Sequence, residues 1–262
     1  MQIFLAIVLG LGIGVVVGTL GGGGAILALP VFVYVLGEGV SSASTASLIV
    51  VTLGASAGAG AQALKGRVCW RVAAAFAAPA AVGAYLGTSA GASVSPSVLI
   101  LAFVPVMLVA AALTYAGRTE SGGLGDAGLQ DCPRPELPRS GGSGLVVGMM
   151  TGFFGVGGGF LIVPALTSLL GLSLRRAIAT SLAVIGLTGL IALGVHLGRG
   201  AEPDWPLTVA LSGAAVIGAL AGSSLGSRVS TATLSRAFAV VVALLALALL
   251  IDVLVLGGPP SG

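Results

Sequence analysis

The stretch GTLGGGGAILALP, Gly18 to Pro30, returns later in the chain as GFFGVGGGFLIVP, Gly152 to Pro164. Each copy sets a run of glycines inside an apolar segment and follows it with a proline six residues after Gly24 or Gly158. Sliding the chain against itself by 134 positions aligns Gly10–Gly66 with Gly144–Gly200 without a gap, and 18 of the 57 pairs are identical. Composition alone would give roughly five, so the chain carries an internal duplication. Gly10, Gly14 and Gly18 match Gly144, Gly148 and Gly152, Ser47 and Leu48 match Ser181 and Leu182, Gln62 faces His196, and Lys65 faces Arg199. One added residue then carries Trp70 onto Trp205 and Gly83, Gly87 and Gly91 onto Gly218, Gly222 and Gly226.

The medium in which these copies fold follows from composition. The 262 residues hold 11 basic and 8 acidic side chains, 7% charged in all, with 56% hydrophobic residues. A soluble domain of this size carries about 25% charged residues, so the outer surface must face lipid. The basic residues form no stripe, so nucleic acid is not an expected partner. Cys69 and Cys132 have no second Cys or His at metal-ligand spacing, which argues against a zinc site and against a disulfide framework; no metal or other cofactor is expected.

A membrane span needs about 20 mostly apolar residues, and ten low-charge runs are candidates. They lie at 3–20, 25–36, 41–64, 72–88, 98–115, 145–154, 160–170, 177–197, 207–225 and 234–256. The second, sixth and seventh are short, as expected of broken or re-entrant helices. Assigning the connections alternately to two sides gives one side Lys65, Arg67, Arg71, Arg118, Arg134, Arg139, Arg175, Arg176, Arg228 and Arg236, and the other only Arg199. Cytoplasmic loops concentrate Lys and Arg, so the rich side is expected in the cytoplasm of a cell inner membrane and both termini outside it. The N-terminal run lacks a basic leader and a small-residue cleavage site, and its recurrence mid-chain reads it as a first helix rather than a signal peptide. Residues 118–141, rich in Gly, Ser and Pro and holding half of the acidic residues, read as a flexible cytoplasmic linker between a first repeat, 1–117, and a second, 142–262. Both cysteines then fall on the cytoplasmic side and are expected to be reduced.

Five segments per half is an odd number, so the second repeat should enter the membrane inverted. The expectation is an all-α membrane protein of about ten transmembrane segments in two inverted five-segment repeats. Transporters built this way hold substrate at the repeat interface near the midplane, at discontinuous helices. The glycine runs, Gly21, Gly22, Gly23 and Gly24 with Gly155, Gly157, Gly158 and Gly159, mark such breaks. A new helix starting at Ala25 and at Phe160 would aim backbone N–H groups and a positive dipole end at an anion. The competing reading is a structural hinge, and GxxxG spacing elsewhere reads as helix packing. Pro30 and Pro164 read as kinks. Ser44, Thr45, Ser47, Thr180 and Ser181 are candidate hydroxyl donors to substrate, although such residues often bond their own backbone. Gln62 and His196 are candidates for gating or proton coupling, against an interfacial structural role.

Of the carboxylates only Asp252 falls inside a candidate span, near its end, so an acidic cage for sodium is missing. Paired acid and base, nucleophile motifs and a P-loop are absent too, which argues against an enzyme or an ATP-driven pump. With the two glycine motifs, the SASTASL and AIATSL segments and the KGRVCW and DW elements that follow, the chain resembles the sulfite exporter TauE/SafE family of membrane anion permeases. The resemblance covers both halves. It implies a secondary transporter, with export the leading direction, of small sulfur anions such as sulfite, sulfoacetate or other organosulfonates. The implied partners are that small anion and the lipid bilayer, with homo-oligomerisation left open. A passive anion channel and a membrane scaffold without transport activity are the alternatives.

Overall fold

The computed structural model describes residues 2–24, 28, 31–38, 40–91, 132, 137–154, 159–198, 203–226, 229 and 230, together with single positions between 102 and 112 and between 233 and 250. Among the described residues every regular element is helical and none is a strand. Hydrocarbon offers backbone N–H and C=O groups no water, so the apolar runs satisfy them internally as helices. The helices are α1 (Gln2–Leu20), α2 (Val40–Ala63), α3 (Trp70–Gly91), α4 (Leu137–Phe154), α5 (Gly159–Ser168), α6 (Leu174–Gly198) and α7 (Trp205–Gly226). A 3-10 turn, Gly21–Gly24, follows α1, and a π-helical turn spans Val31–Val35.

Five of these, α1, α2, α3, α6 and α7, are long and apolar enough to cross a membrane. In α2 and α6, 61% of the span is buried, against 39% in α1 and α3 and 44% in α7, so α2 and α6 form the centre. The outer helices turn Phe4, Val8, Val82, Tyr85, Val209 and Ile217 outward, an apolar coat suited to lipid. At ten residues α5 is about 15 Å long, half a bilayer, in keeping with a broken helix. The fifth and tenth sequence segments lie mostly outside the described residues, whose described members are helical.

One boundary is corrected. The sixth segment was expected to be short, at 145–154, with linker as far as 141, but α4 begins at Leu137. Pro138 sits in its first turn, where a missing N–H costs nothing. Ser140 is fully buried, and Gly144 lies against the Phe76 backbone, so packing overrides the weak helix propensity of RSGGSG.

Glycines bring the outer helices into backbone contact. A methyl group on Gly14 or Gly18 would overlap the carbonyl of Ala215 or Ala219 in α7, and Gly218 and Gly222 accept Leu11 and Val15 in return. In the other half Gly148 and Gly152 of α4 meet Ala80 and Ala84 of α3, and Gly83 and Gly87 accept Leu145 and Met149. These contacts correspond residue by residue under the 134 and 135 offsets. In both pairs the contact numbers rise together, so α1 runs parallel to α7 and α4 parallel to α3. The central pair behaves otherwise. Gly58 meets Leu182, Ser56 meets Gly186 and Thr52 meets Gly189, so α2 and α6 cross antiparallel. Gly37 and Gly171, equivalent in the repeat, both adopt positive φ, 73° and 66°, at the turns leading into α2 and α6.

A branched side chain in these seams must separate two backbones. Gly14→Leu and Gly148→Leu are each expected to lower stability by about 1–3 kcal/mol or more, whereas Gly12→Leu, with open space around it, should leave it unchanged. Thermal unfolding of the three purified variants in detergent checks this.

Candidate functional site

The glycine turn of the first half lies against the second half. Gly21 has φ of 74°, a conformation that side chains other than glycine's rarely adopt. A Cβ there would sit 2.6 Å from Ser181 Oγ and 3.1 Å from a Val163 methyl, so the turn is wedged between α5 and α6. Ser181 lies seven residues into α6, about 10 Å along its axis. Its hydroxyl donates to Ile178 O at 2.8 Å, and its buried oxygen stands beside Gly21. Gly22 is buried, and Gly23 and Gly24 complete the 3-10 turn that ends α1. In the second half α4 stops at Phe154 and α5 starts at Gly159, one residue ahead of the expected start at Phe160. Gly155, Gly157 and Gly158, like the expected start at Ala25, and Pro30 lie outside the described residues. Pro164 lies within α5.

The hydroxyl candidates divide by their partners. Ser47 Oγ donates to Ser44 O at 2.9 Å, a local bond within α2, and both residues are half-buried. Thr45 is buried at 1% exposure and engaged. Thr180, fully buried, accepts the Cys69 backbone N–H at 3.2 Å and so ties the head of α3 to α6. Gln62 is buried and its Oε1 accepts Arg67 Nη1 at 3.5 Å, while its carbonyl accepts the N–H of Lys65 and Arg67. That bonding gives Gln62 a part in shaping the turn into α3. His196 lies near the C-terminal end of α6, and its side chain is outside the described residues. Because α2 and α6 are antiparallel, Gln62 and His196 occupy opposite ends of the crossing and do not share a site.

Charge separates along the same axis. Lys65, Arg67 and Arg71 on the turn into α3 join Arg175 and Arg176 at the head of α6, with Arg139 at the head of α4. Arg175 Nη2 donates to Val229 O at 3.1 Å just beyond α7, which places the end of α7 there too. The described acids lie at the other end. Glu38 accepts Ser42 Oγ before α2, and Asp204 caps α7 by accepting the Leu207 N–H at 3.1 Å.

Sequence reasoning missed one feature of this end. Cys69 and Cys132 form a disulfide, contrary to the expectation that they are reduced and unpaired. That expectation rested on cysteine number, spacing and compartment, whereas the fold brings Cys132 onto Cys69 at the head of α3. The charge count, by assigning both cysteines to one side, was the available signal. Arg176 Nη1 approaches both sulfurs, 3.0 Å from Cys132 Sγ and 3.5 Å from Cys69 Sγ. Also missed were the buried hydroxyls of Thr52, Ser140, Thr208 and Ser212, which have no hydrogen-bond partner within the structure. Among the described residues no group of three or more His, Cys, Asp or Glu side chains is placed to hold a metal ion.

Comparison with known proteins points to membrane transporters. A "Probable membrane transporter protein" of Xylella fastidiosa (strain 9a5c) is 33% identical over 171 residues, covering 64% of this chain and 62% of that protein. "Probable membrane transporter protein YunE" of Bacillus subtilis (strain 168) is 32% identical over 101 residues, 38% of this chain and 37% of its own. The chain thus aligns with less than two thirds of the length of these relatives. No solved structure matches. The model of the family described as "Sulfite exporter TauE/SafE" matches residues 6–249, nearly the whole chain, and this multi-pass membrane protein therefore belongs to the TauE/SafE sulfite exporter family.

Proposed function

We propose that the chain is a secondary transporter that exports small sulfur-containing anions, sulfite foremost, by alternating access between two inverted five-segment repeats. The observation that carries the reading is the wedge of Gly21–Gly24 between α5 and α6. There a helix break from one half meets a short helix and a central helix from the other. A helix start beyond such a break would aim backbone N–H groups at the space between the halves, and an oxyanion would satisfy them without a buried cation. The proposed contacts are the N–H groups of Gly21–Gly24 and, by repeat equivalence, of Gly155–Gly159, with Ser181 beside the first set. Ser44, Thr45, Ser47 and Thr180 belong to the walls of this region rather than to direct contact.

The antiparallel crossing of the equivalent helices α2 and α6 supports inversion, as does the exchange by which α1 packs on α7 and α4 on α3. In such a scaffold each half takes the other's conformation in turn, exposing the central site to either side. The cation-rich end is proposed to face the cytoplasm. There it raises the local concentration of anions ahead of the site.

Three measurements test the reading. In proteoliposomes the protein should move sulfite with saturable kinetics, and Gly23→Val and Gly158→Val should abolish the flux while remaining folded and monodisperse; normal flux in both would remove the site. In a Cys69→Ser, Cys132→Ser background, a cysteine at Gly125 should be labelled only from the cytoplasm and one at Pro203 only from outside, and labelling of both from one face would contradict the inversion. His196→Gln should retain most of the flux, independent of sodium, because its equivalent, Gln62, cannot titrate. A sodium requirement, or complete loss in the folded variant, would contradict the coupling scheme.

A further inference from the structure

The cation-rich end holds a reactive group that the transport cycle does not use. The two sulfurs of the Cys69–Cys132 disulfide are unequal. Cys69 is 1% exposed at the head of α3, while Cys132 is exposed in the stretch between the halves. Arg176 lies beside both sulfurs, and the Cys69 N–H is bonded to Thr180, the neighbour of the Ser181 that stands against Gly21. The bridge therefore joins Cys132 to a residue whose N–H is bonded to the neighbour of Ser181, beside the proposed anion site.

We propose that Cys69–Cys132 is a covalent sulfite site that works as a latch. The choice of nucleophile rests on the sulfite reading of function. The sulfur lone pair of sulfite attacks Cys132 Sγ, the exposed sulfur, and forms a new S–S bond as the Cys132–Cys69 bond breaks. The bonding pair leaves with Cys69 as a thiolate. The products are a Cys132 S-sulfonate and a Cys69 thiolate; sulfite is oxidised by two electrons and the disulfide is reduced by two, with no further reactant and no proton. Disulfide exchange is faster when the leaving thiolate is stabilised. A buried thiolate beside a guanidinium is stabilised, where the same group in apolar surroundings would be penalised. Arg176 thus draws in the anionic nucleophile and receives the charge that Cys69 acquires. The reverse step, attack of the Cys69 thiolate on Cys132 Sγ with sulfite leaving, closes the latch as sulfite falls. The state of the disulfide thus responds to the concentration of the proposed substrate.

The test uses the full-length protein in nanodiscs, incubated with sulfite, or with sulfate as an anion lacking the nucleophilic lone pair, then alkylated and mapped by peptide mass. The expected result is S-sulfonate on Cys132 and an alkylated thiol on Cys69 with sulfite only. Opening should be several-fold slower in Arg176→Gln and close to the parent rate in Arg176→Lys, which also keeps the proposal testable if the Gln variant fails to fold. S-sulfonate on Cys69, no reaction, or equal rates in all three proteins would overturn it. Because the readout is covalent, it separates the two proposals. S-sulfonation without sulfite flux removes the transport reading and keeps the latch, and flux without S-sulfonation does the reverse.

Discussion

Every interruption of a helix in hydrocarbon exposes backbone groups that only the protein can satisfy, and the architecture follows from where this chain permits such interruptions. Four consecutive glycines end α1, and a second glycine run separates α4 from α5. In water these would be unremarkable loops. In lipid they must be enclosed by other helices, and the first is enclosed by α5 and α6 of the opposite half. The break is therefore also a place where one half of the chain meets the other.

Enclosure of this kind requires close helices, and most glycines of the outer layer serve that end. Lipid provides no hydrophobic drive between helices, so association depends on contact, and contact on the absence of Cβ atoms. Gly10, Gly14 and Gly18 lay α1 onto the backbone of α7, and their equivalents lay α4 onto α3. Each half thus lends its first helix to the other half. Between these two seams α2 and α6 meet through Gly58, Gly186 and Gly189, with Ser56 and Thr52 filling the space the glycines leave. A disulfide with Arg176 closes one end of this assembly, at the head of α3.

Much of this was readable in advance because it depends on local chemistry repeated twice. The GxxxG spacing announced the seams, the glycine runs announced the breaks, and the single-sided distribution of Lys and Arg matches the clustering of Lys65, Arg67, Arg71, Arg139, Arg175 and Arg176 at one end. What escaped depends on chain path. Whether Cys132 reaches Cys69 is decided by the course of a stretch whose composition reads as linker. The start of α4 escaped for a related reason: Ser140, Gly141 and Gly142 are poor helix formers, and only the surface of α3, with Phe76 and Pro79 near Gly144 and Gly141, holds them helical. Pro138 was the overlooked start signal. Gln62 and His196 are equivalents under the 134 offset, yet equivalence in antiparallel helices sends them to opposite ends.

The central claim is that an oxyanion is held by backbone donors at the glycine breaks. Selenite, the heavier congener of sulfite, offers a direct view, since anomalous scattering from crystals of the full-length protein soaked in it locates the selenium without prior assumption. The account predicts a selenium position within hydrogen-bonding reach of the N–H groups of Gly21–Gly24 or Gly155–Gly159, between the two halves. A selenium found only among the arginines of the cation-rich end, with both glycine turns empty at saturating selenite, would contradict it.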